Sequence, residues 1–292
     1  MKLEYIVKEK DLNKSINEIL TNEFHFSNRL LTKLIKSDKI LLNNTPCDTR
    51  NCPKLNDVIT IKFDIEEDNS NIIATNMDLD IIYEDEWMLV INKLAGIPIH
   101  PSRMHFTDSL SNGIKNYYDK IGLCKKIRAV NRLDLDTSGL VIFAKCEFIQ
   151  ECFIRQMSKN IFQKTYLCLI NGFFKNETGK ISLPISRKDG SIIERCIKTE
   201  GQPSVTHYRV INKFKNYSLV ECKLETGRTH QIRVHFSALG HSLLGDTLYG
   251  ESSNLIKRQA LHSYKIECIH PVFKTSLCFE AKIPKDIEKL LI

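Results

Sequence analysis

The sequence predicts an α+β protein, with a small N-terminal α/β domain followed by a larger domain built on a mixed, largely antiparallel sheet. Three observations carry this. Two runs of helical period and then short strand-like runs occupy residues 1–63. An acidic stretch without clear period, residues 64–78, reads as a linker. From residue 79 to 292 strand-like runs outnumber helical ones and do not alternate with them, as a parallel βαβ sheet would require.

Taken in order, Leu3–Val7 is a strand candidate. Leu12–Leu20 has helical spacing, with Leu12, Ile16, Ile19 and Leu20 on one face. Ser27 is placed to cap a second helix whose apolar side is Leu30, Leu31, Leu34 and Ile35. Residues 39–44 and 57–61 read as strands. Beyond the linker, residues 81–83 and 87–93 are strands around an acidic turn. Residues 95–101 form a Gly/Pro loop, in which His100 beside Pro101 reads as structural. Thr107 is placed to cap a helix through Leu110, Ile114, Tyr117 and Ile121. The apolar run Leu140–Ala144 has strand composition, 148–157 reads as helix, and 164–170 and 217–225 as strands. Thr229 is placed to cap a helix ending at Gly240. Its spacing sends Ile232, Phe236 and Leu239 to the core and His230, Arg233 and Ser237 to another face.

The 292 residues are 42% hydrophobic and 26% charged, ordinary for a soluble globular chain, with a net charge of +7. The distribution says more than the total. Between Phe63 and Asn92 there are nine acids and no Lys or Arg, so the remainder carries 42 basic residues against 26 acids. That excess suits a polyanion, most commonly nucleic acid. The ten cysteines include no C-x-x-C pair and mostly lie in apolar runs, which reads as free thiols in a reducing cytoplasm. His and Cys never cluster at metal-ligand spacing, so no metal is expected. No apolar run approaches membrane-spanning length, and Met1–Tyr5 lacks a signal-peptide apolar region.

Two polar clusters stand out between apolar segments. Arg128–Leu140 packs Arg132, Asp134 and Asp136 just ahead of a buried strand, where functional groups are held on a rigid frame. Asp136 to Gly139 alone would be an ordinary turn. The second cluster, Thr226–His235, suggests that both belong to one site.

These residues carry a resemblance. Asn131-Arg132-Leu133-Asp134-Leu135-Asp136-Thr137-Ser138-Gly139-Leu140 resembles the active-site motif of the ribosomal large-subunit pseudouridine synthase A family, with Asn131 where His is usual. Thr226–His235, continuing through Leu239-Gly240-His241, Gly245-Asp246 and Tyr249-Gly250, is similar to a later motif. Lys164-Thr165-Tyr166 and Arg258-Gln259-Ala260-Leu261-His262 match two more, in the family's order. The resemblance implies a curved central sheet, no cofactor, and isomerisation of uridine to pseudouridine in RNA rather than DNA. Ribosomal RNA of the large subunit is the expected partner, and a cytoplasmic monomer the expected state. It makes Asp134 the catalytic carboxylate, which can attack or deprotonate the sugar or add to the ring. Arg233 would be its ionic partner. Tyr166 would stack on uracil and help remove the C5 proton, and Lys164 is a lesser candidate for RNA contact. The target base must leave its stack. Arg132 would either fill that gap or form a salt bridge to Asp136.

Residues 1–63 resemble the RNA-binding domain named after ribosomal protein S-four, with Arg29, Lys33, Lys36 and Lys39 at its basic positions. Asp38, Asn44 and Asn56 stand where that domain usually has glycine. Because the candidate site lies beyond residue 78, the larger domain is expected to fold and act alone. Two other readings fit the residues: a non-catalytic RNA-binding assembly protein and a nucleoside hydrolase.

Overall fold

The computed structural model describes all 292 residues. At the N-terminus, β1 (Lys2–Ile6) precedes two short helices, α1 (Ile16–Phe24) and α2 (Asn28–Lys36). Helix α1 starts later than its apolar spacing suggests. Ser15 accepts the Glu18 amide while the Glu18 carboxylate takes the Ser15 amide, and this reciprocal cap outweighs the spacing signal. Leu12 is left exposed in the preceding turn. Ser27 caps α2 as expected. The strands β2 (Ile40–Leu42), β3 (Thr45–Pro46) and β4 (Val58–Lys62) complete an antiparallel sheet in the order β1-β4-β2-β3. Asp38, Asn44 and Asn56 have φ of 52°, 67° and 67°, so they adopt the left-handed turns glycine would supply.

The larger sheet has ten strands. In chain order they are β5 (Ile81–Glu84), β6 (Met88–Lys93), β7 (Arg128–Ala129), β8 (Ser138–Ala144), β9 (Gln163–Asn171) and β10 (Thr178–Ser182). A separate two-stranded hairpin, β11 (Ile185–Arg187) and β12 (Arg195–Ile197), comes next. Then follow β13 (Val205–Lys213), β14 (Tyr217–Leu224), β15 (Leu261–Ile269) and β16 (Ser276–Glu280). Helices α3 (Leu110–Lys120), α4 (Glu147–Ser158), α5 (Gln231–Ala238) and α6 (Lys285–Glu288) cover the sheet and its ends. Two expected caps shift. Ser109, not Thr107, caps α3, because Asn112 returns the bond to it. His230 occupies the cap position of α5 in the left-handed conformation, and the Gln231 side chain, not Thr229, takes the free Arg228 amide. Leu239, expected in the core, is exposed just past the end of α5.

The path β10-β13-β14-β9-β15-β8-β6-β5 is antiparallel at every step but one. Strands β8 and β15 run parallel and share only two residue pairs, His262 with Ser138 and Ser263 with Gly139. The sheet is therefore two halves joined at a narrow seam. Gly139 sits there at φ 111°, and a Cβ on it would lie 2.2 Å from the Ser263 carbonyl oxygen. Only glycine lets the halves close.

The small sheet and the large one share a core. One cluster of 28 buried apolar residues runs from Leu3, Ile19, Phe26 and Phe63 into Trp87, Phe148 and Phe153. Phe148 of α4 packs against Phe26 at 5.0 Å and stacks on Phe63 at 5.5 Å, and Phe63 meets Trp87 edge-on at 5.7 Å. Such aromatic pairs contribute about 0.5–1.5 kcal/mol each beyond the area they bury. Without residues 1–63 the larger domain would expose this apolar face. The acidic connection is also tethered. The Glu67 carboxylate takes Lys33 Nζ of α2 at 2.6 Å and both Arg128 terminal nitrogens at 2.7 Å. Lys125 donates to the Phe63 and Ile65 carbonyls.

Candidate active site

The loop 131–137 enters β8 at the seam, and its backbone is fixed from several directions. The Asn131 amide donates to the Leu140 carbonyl at 3.0 Å and accepts the Ile142 amide at 2.9 Å. Its role is to tie the loop to β8. The Leu135 carbonyl accepts from the Gly96 amide and from Lys93 Nζ at 2.9 Å. Lys93 is fully buried and also donates to the Leu94 and Ile97 carbonyls. Burial pulls its ammonium down to about 7, against the opposing attraction of Asp136 and Asp134. Arg258 Nη1 donates to the Asp136 carbonyl at 3.0 Å, and its Nε pairs with Asp286 at 2.7 Å. A loop whose carbonyls are occupied this fully presents its side chains in one geometry.

From that loop Asp134 reaches Arg233 of α5, with Oδ2 3.3 Å from Nη1. Arg233 is committed elsewhere: its Nε and Nη2 donate to the two Asp246 oxygens at 2.7 and 2.8 Å. Asp246 is fully buried and also accepts the Leu248 and Tyr249 amides. Burial works against the Arg233 charge, but Asp246 and then Asp134 more than offset it and hold the guanidinium above its ordinary value. The Tyr249 ring lies 5.0 Å from the guanidinium carbon, a cation–π contact. On the other side of Asp134, His230 Nε2 stands 3.9 Å from Oδ1.

These groups open on a cavity of about 500 Å³ that crosses the seam. Asp134, Arg132, Lys164, Tyr166, His230 and Arg233 all line it. Tyr166 on β9 is 6% exposed, and burial raises its phenol well above the ordinary value, so it is protonated at neutral pH. Lys164 has no acidic or hydrogen-bonded partner, and burial lowers its pKa. A Cβ on Gly227 would lie 3.0 Å from its Nζ, so the loop between β14 and α5 closes over it. Arg132 is exposed at the rim, and the alternative salt bridge to Asp136 is not formed.

Residues 87–238 match the RNA pseudouridylate synthase family. Over 270 residues the chain is 38% identical to the uncharacterized RNA pseudouridine synthase YjbO of Bacillus subtilis, covering 92% of this chain and 95% of that protein. It is 34% identical to ribosomal large subunit pseudouridine synthase D of Neisseria meningitidis over 279 residues, 91% and 74% of the two chains. Its fold is similar to that of human RNA pseudouridylate synthase domain containing 1, with a TM-score of 0.57 and 25% identity over 73% of this chain and 93% of that one.

The chain belongs to the RNA pseudouridylate synthase family. As a pseudouridine synthase it is an isomerase acting on RNA. Its cavity brings together five of the residues expected from sequence: Asp134, Arg132, Lys164, Tyr166 and Arg233. Four others lie apart, around α2. There Lys33 pairs with Glu67, Lys39 with Asp64 at 2.9 Å and Arg29 with Glu147 at 3.4 Å, while Lys36 has no acidic partner. Several residues of this synthase had no role assigned from sequence: Lys93, His230, Asp246, Tyr249 and Arg258. Asp246, Tyr249 and Arg258 lay in the matched motifs, but nothing in their spacing says what they touch.

Proposed function

We propose that this chain converts uridine to pseudouridine in ribosomal RNA of the large subunit, with Asp134 as the catalytic carboxylate. The observation that carries the reading is the state of Asp134. It is 23% exposed, opens on the cavity, and keeps a single 3.3 Å hydrogen bond to Arg233 while its neighbour Asp246 is saturated. A cavity of about 500 Å³ is ample for one nucleotide. The relatives named ribosomal large subunit pseudouridine synthase D support the choice of RNA.

The reaction breaks the bond from C1′ to N1, turns the uracil, and joins C1′ to C5. The C5 hydrogen leaves and N1 gains one, so no external reagent is consumed. Arg233 holds the Asp134 carboxylate in place, the condition for it to act on the sugar or the ring. Tyr166, buried and protonated, is the surface on which the uracil stacks. Arg132, free at the rim, fills the place the base leaves, offsetting an unstacking cost of about a few kcal/mol. Lys164 answers a phosphate or carbonyl oxygen of the bound nucleotide. The exposed face of α2, with Arg29 and Lys36, lies along the RNA backbone outside the cavity, with Lys33 and Lys39 behind it.

The test is pseudouridine mapping of large-subunit RNA in cells carrying wild type or Asp134→Asn. The substitution preserves shape and is expected to abolish modification at the target while the purified variant still binds RNA. Normal modification by Asp134→Asn would overturn the assignment.

A further inference from the structure

Resting on the reading of Asp134 as the catalytic carboxylate, we infer that His230 and Tyr249 form a positioning pair that aims Asp134 by delivering one N–H to its second oxygen. The argument begins at the hairpin β11–β12. The backbone amide of Arg195 donates to Tyr249 Oη at 2.8 Å. Tyr249 Oη lies 2.7 Å from His230 Nδ1, and the structure gives Oη no third partner. If Nδ1 carried the proton, Oη would accept two N–H groups and its own hydrogen would have nothing to bond. With the phenol donating to Nδ1, both Oη and Nδ1 are satisfied. Nδ1 is then the acceptor and the proton sits on Nε2.

That Nε2 faces Asp134 Oδ1 at 3.9 Å, short of a hydrogen bond but within reach of one. Catalytic hydrogen bonds are often long before substrate binds and tighten in the complex. Burial lowers the imidazole pKa, Asp134 pulls it up, and Arg233 and Arg195 push it down, so the ring is neutral with a single N–H to give. Arg233 meets one Asp134 oxygen and His230 addresses the other, which fixes rotation of the carboxylate about its own axis. His230 is held in the left-handed conformation, φ 59°. That conformation directs its ring toward both Tyr249 and Asp134.

The backbone offers a discriminating experiment. Asn tolerates the left-handed conformation well but its short amide reproduces only the Nδ1 position. Gln fits that backbone less well but carries an N–H near the Nε2 position. If His230 is present only for its backbone, His230→Asn performs best. If it positions Asp134, His230→Asn is expected to lower kcat roughly 100-fold with KM little changed, as for a misplaced catalytic group, and His230→Gln to recover most of the loss. Tyr249→Phe keeps the ring over Arg233 and removes the bond to Nδ1, and should lower kcat less than His230→Asn.

A second readout needs no turnover. Nitrogen NMR of histidine-labelled enzyme should show His230 as the Nε2–H tautomer in wild type and as a mixture in Tyr249→Phe. Full activity of His230→Asn, or an Nδ1–H tautomer in wild type, would overturn the proposal while leaving the proposed function intact. A wild-type enzyme that forms no pseudouridine would overturn both.

Discussion

Glu67 and Arg233 each stand between two ions of opposite sign, and the two clusters divide their bonds differently. Glu67 accepts three bonds of 2.6–2.7 Å, one from Lys33 and two from Arg128, so both of its partners are fully engaged. Arg233 gives both of its short bonds to Asp246 and leaves Asp134 with one of 3.3 Å. The even cluster immobilises the contact between the small sheet and the large one. The uneven cluster immobilises Arg233 and leaves one carboxylate under-bonded where the cavity opens. A buried ion pair that serves stability saturates its members; one that serves chemistry leaves a member unsaturated.

The sharpest way to break this contrast is Arg233→Ala. It strips a fully buried Asp246 of both side-chain donors and is expected to cost about 3–5 kcal/mol of stability as well as activity. Asp134→Asn, on the lightly bonded side, should abolish activity and change stability by less than about 1 kcal/mol. Denaturant unfolding of the two variants measures the asymmetry, and equal losses of stability would erase it.

Glu67→Gln tests the other cluster through pH. Burial alone would raise the Glu67 pKa, but Arg128 and Lys33 hold it at about 2, below its ordinary value of 4.5. A carboxylate with a depressed pKa stabilises the fold above its unfolded value and loses that stabilisation as pH falls through the folded one. The melting temperature of wild type should therefore exceed that of Glu67→Gln by a steady margin above pH 4.5, narrowing as pH falls toward 2. A margin independent of pH would show that the charge of Glu67 is not what stitches the sheets.

The smallest effect belongs to the cations of α2. Lys33 is spent on Glu67, whereas Lys36 has no acid beside it. Lys36→Ala should flatten the log–log salt dependence of RNA binding by about 0.7–0.9, one phosphate contact, and Lys33→Ala by much less. Equal slopes for both variants would mean that pairing within the chain does not decide which cation meets RNA.

What could be read in the sequence follows from range. Ser27 and the strand after Gly139 depend on neighbours a few residues away, and local chemistry reveals them. The order of Asp134, Tyr166 and Arg233 was legible because a family motif carries it. The partners were not. Asp246 and Tyr249 act on Arg233 and His230 only after the chain has turned past the end of α5. Lys93, at the end of an apolar strand, looks like an exposed terminus until the loops of Ile97 and Leu135 fold over it. Strands β10, β13, β15 and β16 gave no clear alternation. Strand β13 is half-exposed along most of its length, and a bulge at Ser263 and Lys265 breaks the period of β15. The shared aromatic core was hidden for a similar reason: Phe26, Phe63 and Phe148 sit in three separate segments, each too short to advertise a partner.

The seam between β8 and β15 sets the order in which this molecule can come into being. Ser138 and His262 lie 124 residues apart, and the two pairs that join their strands close the longest loop in the large sheet. Contacts so distant along the chain form late, because closing the loop is costly until both halves present ready-made edges. Asp134 arrives with the first half, and Tyr166 and Arg233 with the second. Neither half alone carries the whole active site. The site is thus complete only when β15, near the end of the chain, has joined β8.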